Sequence, residues 1–262
     1  MRPNAKKMWS VLVLSTISGV AGAQWQEGKF SGDLNWQGNV TQSRNPWVWA
    51  QGALTAPVEL DLTQSQSRDG RIEWRNLLTQ TPLLLGKTEQ LVPKGRPGIL
   101  PTIQYGHDVA GVELLWTNRG EAQLTLPVQG YDGSPSRGEL SVMLRINAGL
   151  VSTHAGVRQG FSLAAGADEP GNGLPPAGFA LPTDQILPAL RTLFGPHAPA
   201  WLASEVAMGG ETTLATLANP AHHAIGGLYG AEIVAGSGIL SFAKGTLPEQ
   251  WQVQLPIQIT YR

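Results

Sequence analysis

The 262-residue sequence contains no cysteine, so disulfides, thiol nucleophiles and cysteine metal sites are excluded, and packing alone must hold the fold. Charge is scarce: 14% of residues are charged against 42% hydrophobic, and the formal net charge is −1. Basic residues are not clustered, which argues against a nucleic-acid partner. The one long apolar run near the start, Trp9 to Val20, is too short for a bilayer core that takes about 20 apolar residues to cross. Turn formers are plentiful instead. With 32 glycines and 19 prolines, the composition suits a turn-rich extracellular β protein better than a helical one.

Arg2, Lys6 and Lys7 precede that apolar run, and Ala21-Gly22-Ala23 follows it as a cleavage motif. Residues 1–23 are therefore expected to be a signal peptide, with the exported chain beginning at Gln24. Next comes a segment of strict alternation. Phe30, Gly32, Leu34, Trp36, Gly38 and Val40 share one face, and Ser31, Asp33, Asn35, Gln37 and Asn39 share the other. Two glycines on the apolar face weaken a strand unless another backbone must pass close there. The pattern fits an ordinary first strand, or one that pairs with a sheet in another molecule.

Alternation recurs along the chain. Val58, Leu60 and Leu62 predict a strand, and Ile72 and Trp74 another after the Arg68-Asp69-Gly70 turn. Leu83 to Leu85 form an apolar run closed by Gly86, and Ile99, Ile103 and Tyr105 a short strand despite Pro101. Val112, Leu114 and Trp116 predict a hairpin across Asn118-Arg119-Gly120 with Leu124, Leu126 and Val128. Leu140, Val142, Leu144 and Ile146 mark an interior strand. The strongest pattern is Trp251, Val253, Leu255, Ile257, Ile259 and Tyr261, with Pro256 on the opposite parity. A proline there implies that one edge of this strand is not continuously paired within its own domain. So many short strands with turns between them predict an all-β sandwich or barrel.

The period changes after the loop 166–182. Ile186, Leu190, Leu193 and Phe194 fit a helix, with Pro188 predicted near its start. Pro199 to Met208 reads as a second helix stopped by Gly209-Gly210, so 183–219 is expected to be a helical insertion. Trp201 on that insertion is the candidate for stacking on a sugar ring; Trp36, Trp47, Trp49, Trp74, Trp116 and Trp251 lie in strand patterns and are expected in the core. No metal site, cofactor or catalytic residue is predicted. Adjacent His222 and His223 would point to opposite faces of a strand, and His107, Asp108, His154 and His197 lack a Gly-x-Ser-x-Gly elbow.

GKFSGDLNWQGNVT, PWVWAQG, LLLGKT at Leu83 to Thr88, LTLPV at Leu124 to Val128 and the closing QWQVQLPIQITYR together resemble the K88-type fimbrial subunits of Gram-negative bacteria, and a minor subunit in particular. The resemblance implies an incomplete immunoglobulin-like (pilin) β-sandwich with a short helical insertion: residues 24–42 as a donor-strand extension and 43–262 as the domain. It implies a periplasmic chaperone that lends a strand beside Trp251 to Tyr261, an outer-membrane usher, and other fimbrial subunits as partners. The extension Phe30, Gly32, Leu34, Trp36, Gly38 and Val40 would then displace the chaperone, and the product would be a cell-surface fimbrium. A glycan-binding adhesin using the insertion and nearby loops, with a host glycan as ligand, is the alternative.

Overall fold

Alternation becomes a strand in this chain wherever a neighbour is available to ladder with. The computed structural model describes residues 45–52, 58–131, 138–166 and 173–262. The first ten strands are β1 (Trp47–Gln51), β2 (Gln66–Arg68), β3 (Arg71–Leu77), β4 (Thr81–Thr88), β5 (Val92–Lys94), β6 (Pro101–Tyr105), β7 (Glu113–Asn118), β8 (Glu121–Gly130), β9 (Gly138–His154) and β10 (Val157–Ala164). Helix α1 (Thr183–Phe194), β11 (Ala207–Thr213), the one-turn helix α2 (Ala215–Ala218), β12 (His223–Ile233), β13 (Gly238–Ala243), β14 (Trp251–Gln252) and β15 (Ile257–Tyr261) follow. The architecture is the expected all-β one, with antiparallel sheets and a short helical element.

The 17-residue β9 is the axis. β8 and β10 ladder along one edge of it, and β12 and β13 along the other, all antiparallel. From β12 the sheet continues through β4 to β1, and from β13 through β3 to β2. The β2–β3 hairpin turns on Asp69 and Gly70, both at positive φ, and the β7–β8 hairpin on Gly120 at φ +70°. Among the described residues, β15 pairs only with β6, and β14 only with β8.

Inward positions of β8, β9, β12 and β13 form the main core, with Leu124, Leu144, Ile146, Tyr229 and Phe242 all but sealed from solvent. A second core lies under α1, where Ile186, Leu187, Leu190 and Phe194 close on Val151 of β9 and Leu228 of β12. Gly226 and Gly227 let large rings reach the β12 backbone: a Cβ there would collide with the rings of Trp201 and Trp47.

Several expectations need correction. Val58, Leu60 and Leu62 alternate, yet no strand forms over 58–61, and Leu62–Gln64 is a 3-10 turn capped by the Asp61 carboxylate, which accepts from Thr63 N. Helix α1 starts at Thr183, five residues before Pro188, which sits exposed on its outer face; the missing N–H leaves the carbonyl of Asp184, itself exposed, to water. The second helix is reduced to a 3-10 turn at Ala200–Ala203, and Gly209-Gly210 lie within strand β11, parallel to β10. Gly209 is needed because the ring of Phe161 occupies the space its Cβ would take. Finally, Trp201 is 9% exposed, packs in the second core and donates from Nε1 to the Thr88 carbonyl at 2.9 Å. Its face is not available to a sugar.

Candidate functional site: an apolar trough between two strand edges

β1 and β15 lie on the two sides of a trough. Each is laddered on one side, β1 by β4 and β15 by β6, and among the described residues neither has a partner on its other edge. The floor comes from inward side chains of strands remote in sequence: Leu83 of β4, Leu124 and Leu126 of β8, Leu140, Val142 and Leu144 of β9, and Ile233 of β12. One rim is Gln51 and Gly52 with the irregular Val58–Leu62 segment; the other is Trp251, Val253, Leu255 and Ile257. The cavity measures about 1350 Å³. That exceeds the roughly 300–1,000 Å³ of small-molecule pockets, and a length of polypeptide is a better match for it.

The expected strand at Trp251 to Tyr261 is present in two pieces. β14 holds Trp251 against Gly130, β15 holds Ile257, Ile259 and Tyr261 against β6, and Val253 and Leu255 lie between them outside any ladder. Pro256 stands in this gap, although its carbonyl accepts from Gly106 N at 2.8 Å. Trp251, Val253, Leu255, Ile257 and Ile259 pack on the main core but remain only half-buried, unlike the sealed residues of β8 and β9. A strand with its apolar face half covered is what one expects beside a missing neighbour. The other predicted set, Phe30, Gly32, Leu34, Trp36, Gly38 and Val40, lies outside the described residues.

Sequence reasoning missed how the rims meet. Trp49 Nε1 donates to Tyr261 Oη at 2.7 Å, and Trp47 Nε1 donates to the Ile99 carbonyl at 2.9 Å. The Trp47 and Trp49 rings stack at 5.3 Å, and Trp49 tilts against Tyr229 at 5.9 Å. Partial burial raises the Tyr261 phenol above its ordinary pKa, against the opposing pull of the Trp49 hydrogen bond. Beneath them the Tyr105 and Tyr229 hydroxyls share a buried hydrogen bond of 2.8 Å, and desolvation pushes both phenols up.

Charge is scarce in the trough: among the described residues that line it, Glu59 and Glu249 are the only charged ones. Elsewhere, Ser152 Oγ and His222 Nδ1 are 2.9 Å apart, a nucleophile–base distance. Ser152 is buried, however, and His222 has imidazoles for neighbours, stacked on His154 at 4.9 Å. Desolvation, then His154 and His223, hold His222 below the usual imidazole pKa. His107 and Asp108 form an exposed pair at 3.0 Å. No group of three or more potential metal-ligating side chains occurs among the described residues.

The family described as "Fimbrial, major and minor subunit" matches residues 5–262. The chain belongs to this K88-type fimbrial family. It is 36% identical over 233 residues to the K88 minor fimbrial subunit FaeI of Escherichia coli, covering 89% of each protein. For a member of a fimbrial family, an apolar trough of strand length matters more than any of the histidine pairs, because a fibre is built from contacts between copies.

Proposed function

We propose that this chain is a structural subunit of a cell-surface fimbrium and polymerises by donor-strand exchange. On this reading a periplasmic chaperone first lends a strand beside Trp251 to Tyr261. The extension of a second copy, with Phe30, Gly32, Leu34, Trp36, Gly38 and Val40 facing inward, then replaces it at the outer-membrane usher. The observation that carries the reading is the trough: an apolar floor between two strand edges, each laddered on one side only. An entering strand would gain main-chain hydrogen bonds from both edges and cover the half-buried Val253, Leu255 and Ile257. Phe30 to Val40 and Trp251 to Tyr261 span the same ten residue steps, about 33 Å when extended. Family membership supports assembly with other fimbrial subunits.

The reading is tested with the exported chain, the same chain lacking 24–42, and a Gly32→Val/Gly38→Val variant. Size-exclusion chromatography and electron microscopy should find multimers of the first only, while the truncated chain still takes up a labelled peptide of residues 25–42. Normal fibres from the double-valine variant, or a truncated chain that ignores the peptide, would refute it.

A further inference from the structure

We propose that the Trp49–Tyr261 hydrogen bond is a gate across one end of the trough, which an incoming strand must open to seat along its whole length. The inference rests on reading the trough as a strand acceptor. The lining stops at Gln51 on the β1 rim and at Ile257 on the β15 rim. Just beyond, the two rims are joined side chain to side chain, Trp49 lying two residues before Gln51 and Tyr261 four residues after Ile257. With the gate shut, the part of the trough beside Trp251 to Ile257 is about 20 Å long at ~3.3 Å per residue. The alternating stretch Phe30 to Val40 has eleven residues and needs about 33 Å. The closed trough is therefore short by four residues, the length of the Gln258–Tyr261 segment that ends at the gate.

The two halves of the gate differ in freedom. Trp49 is fixed: its ring stacks on Trp47, leans on Tyr229, and fills the space where Gly86 would carry a Cβ. Tyr261 is 37% exposed, and its backbone is held by the β6 ladder opposite Pro101. Opening therefore takes only a rotation of the Tyr261 side chain, with no break in either sheet. Gating by one hydrogen bond gives a modest barrier, so a strand that zips in from the Trp251 end would be held briefly before its last apolar residues seat.

Labelled peptides 25–42, 30–36 and 34–40 are titrated into the chain lacking residues 24–42 and into its Tyr261→Phe variant. Thermal unfolding checks that the variant folds, and Trp49→Phe serves as the second variant. The long peptide should bind the variant about fivefold more tightly, the equivalent of one ordinary hydrogen bond, and the seven-residue peptides equally to both chains. In the wild type, the Trp49 indole N–H resonance should move when the long peptide binds and stay in place with a short one, a signal that general loosening would not produce. Equal gains for long and short peptides, no gain for the long one, or an unmoved Trp49 resonance overturns the gate while leaving the acceptor reading intact. Failure of all three peptides to bind either chain overturns the acceptor reading instead.

Discussion

Ile257 offers a quantitative check on whether the trough is filled in the functional state. It sits on the β15 rim, pairs with Tyr105, and is half-buried with its side chain on the trough. Ile257→Ala removes three carbons, about 2.4 kcal/mol at ~0.8 kcal/mol per buried CH2 when fully covered. Partly covered, as in the unfilled chain, the side chain loses about 1.5–2.2 kcal/mol. Once a strand lies across the trough, the same truncation leaves a cavity in a closed core and costs about 2–5 kcal/mol. The difference, up to about 3 kcal/mol, is a coupling between Ile257 and the inserted strand. It is measurable by thermal unfolding of four chains: residues 24–262 with and without a C-terminally fused copy of residues 25–42, each with Ile or Ala at 257. For a domain of this size 1 kcal/mol shifts Tm by about 2–4 °C, so the substitution should lower Tm by about 3–9 °C in the unfused chain and roughly 4–20 °C in the fused one. The fusion itself should raise Tm and keep the chain monomeric. An equal drop in both backgrounds, or a fusion that leaves Tm unchanged, means that the fused strand does not cover Ile257, and the reasoning fails.

Three other outcomes follow from the same packing. Gly86→Ala places a methyl group inside the ring of Trp49 and should destabilise by about 1–3 kcal/mol in denaturant melts, with the Trp49–Tyr261 bond lost from the NMR spectrum. Trp201→Ala should cost about 3–5 kcal/mol by the same melts and change no glycan-array signal, because the ring is core rather than surface. The Tyr105–Tyr229 pair makes stability fall at alkaline pH. Both phenols have folded-state pKa values raised above the unfolded value near 10, so their contribution is intact below pH 10 and is lost as pH rises above it; Tyr105→Phe/Tyr229→Phe should flatten that limb in unfolding measured from pH 8 to 11.5.

How much of this was legible beforehand depended on how local each determinant is. The β7–β8 hairpin could be read directly, because the alternation on either side and a Gly at positive φ are adjacent in sequence. Val58, Leu60 and Leu62 carry the same alternation, but strand formation needs a partner edge, and the structure provides none at 58–61; the Asp61 carboxylate turned the chain into a 3-10 turn instead. The Gly209-Gly210 pair imitates a helix stop. What decides its conformation is Phe161, nearly fifty residues away, whose ring requires a glycine on the strand beside it.

The trough shows the same limit more sharply, since β3, β4, β8, β9 and β12 all contribute to it and no window of sequence contains it. One part was nevertheless legible. The faultless alternation from Trp251 to Tyr261, interrupted by Pro256 on the other parity, describes a strand whose apolar face belongs to a core but whose edge has no continuous neighbour. In the structure that description becomes a strand broken over 253–256, with half-buried valine, leucine and isoleucine along the mouth of the trough. An ordinary domain would cover those side chains with its own next strand, because each partly exposed aliphatic forfeits up to about 1 kcal/mol of burial. Leaving Val253, Leu255 and Ile257 partly covered in one row is a standing loss of about 1–3 kcal/mol, and a strand supplied from another copy would recover it at the moment the two subunits join.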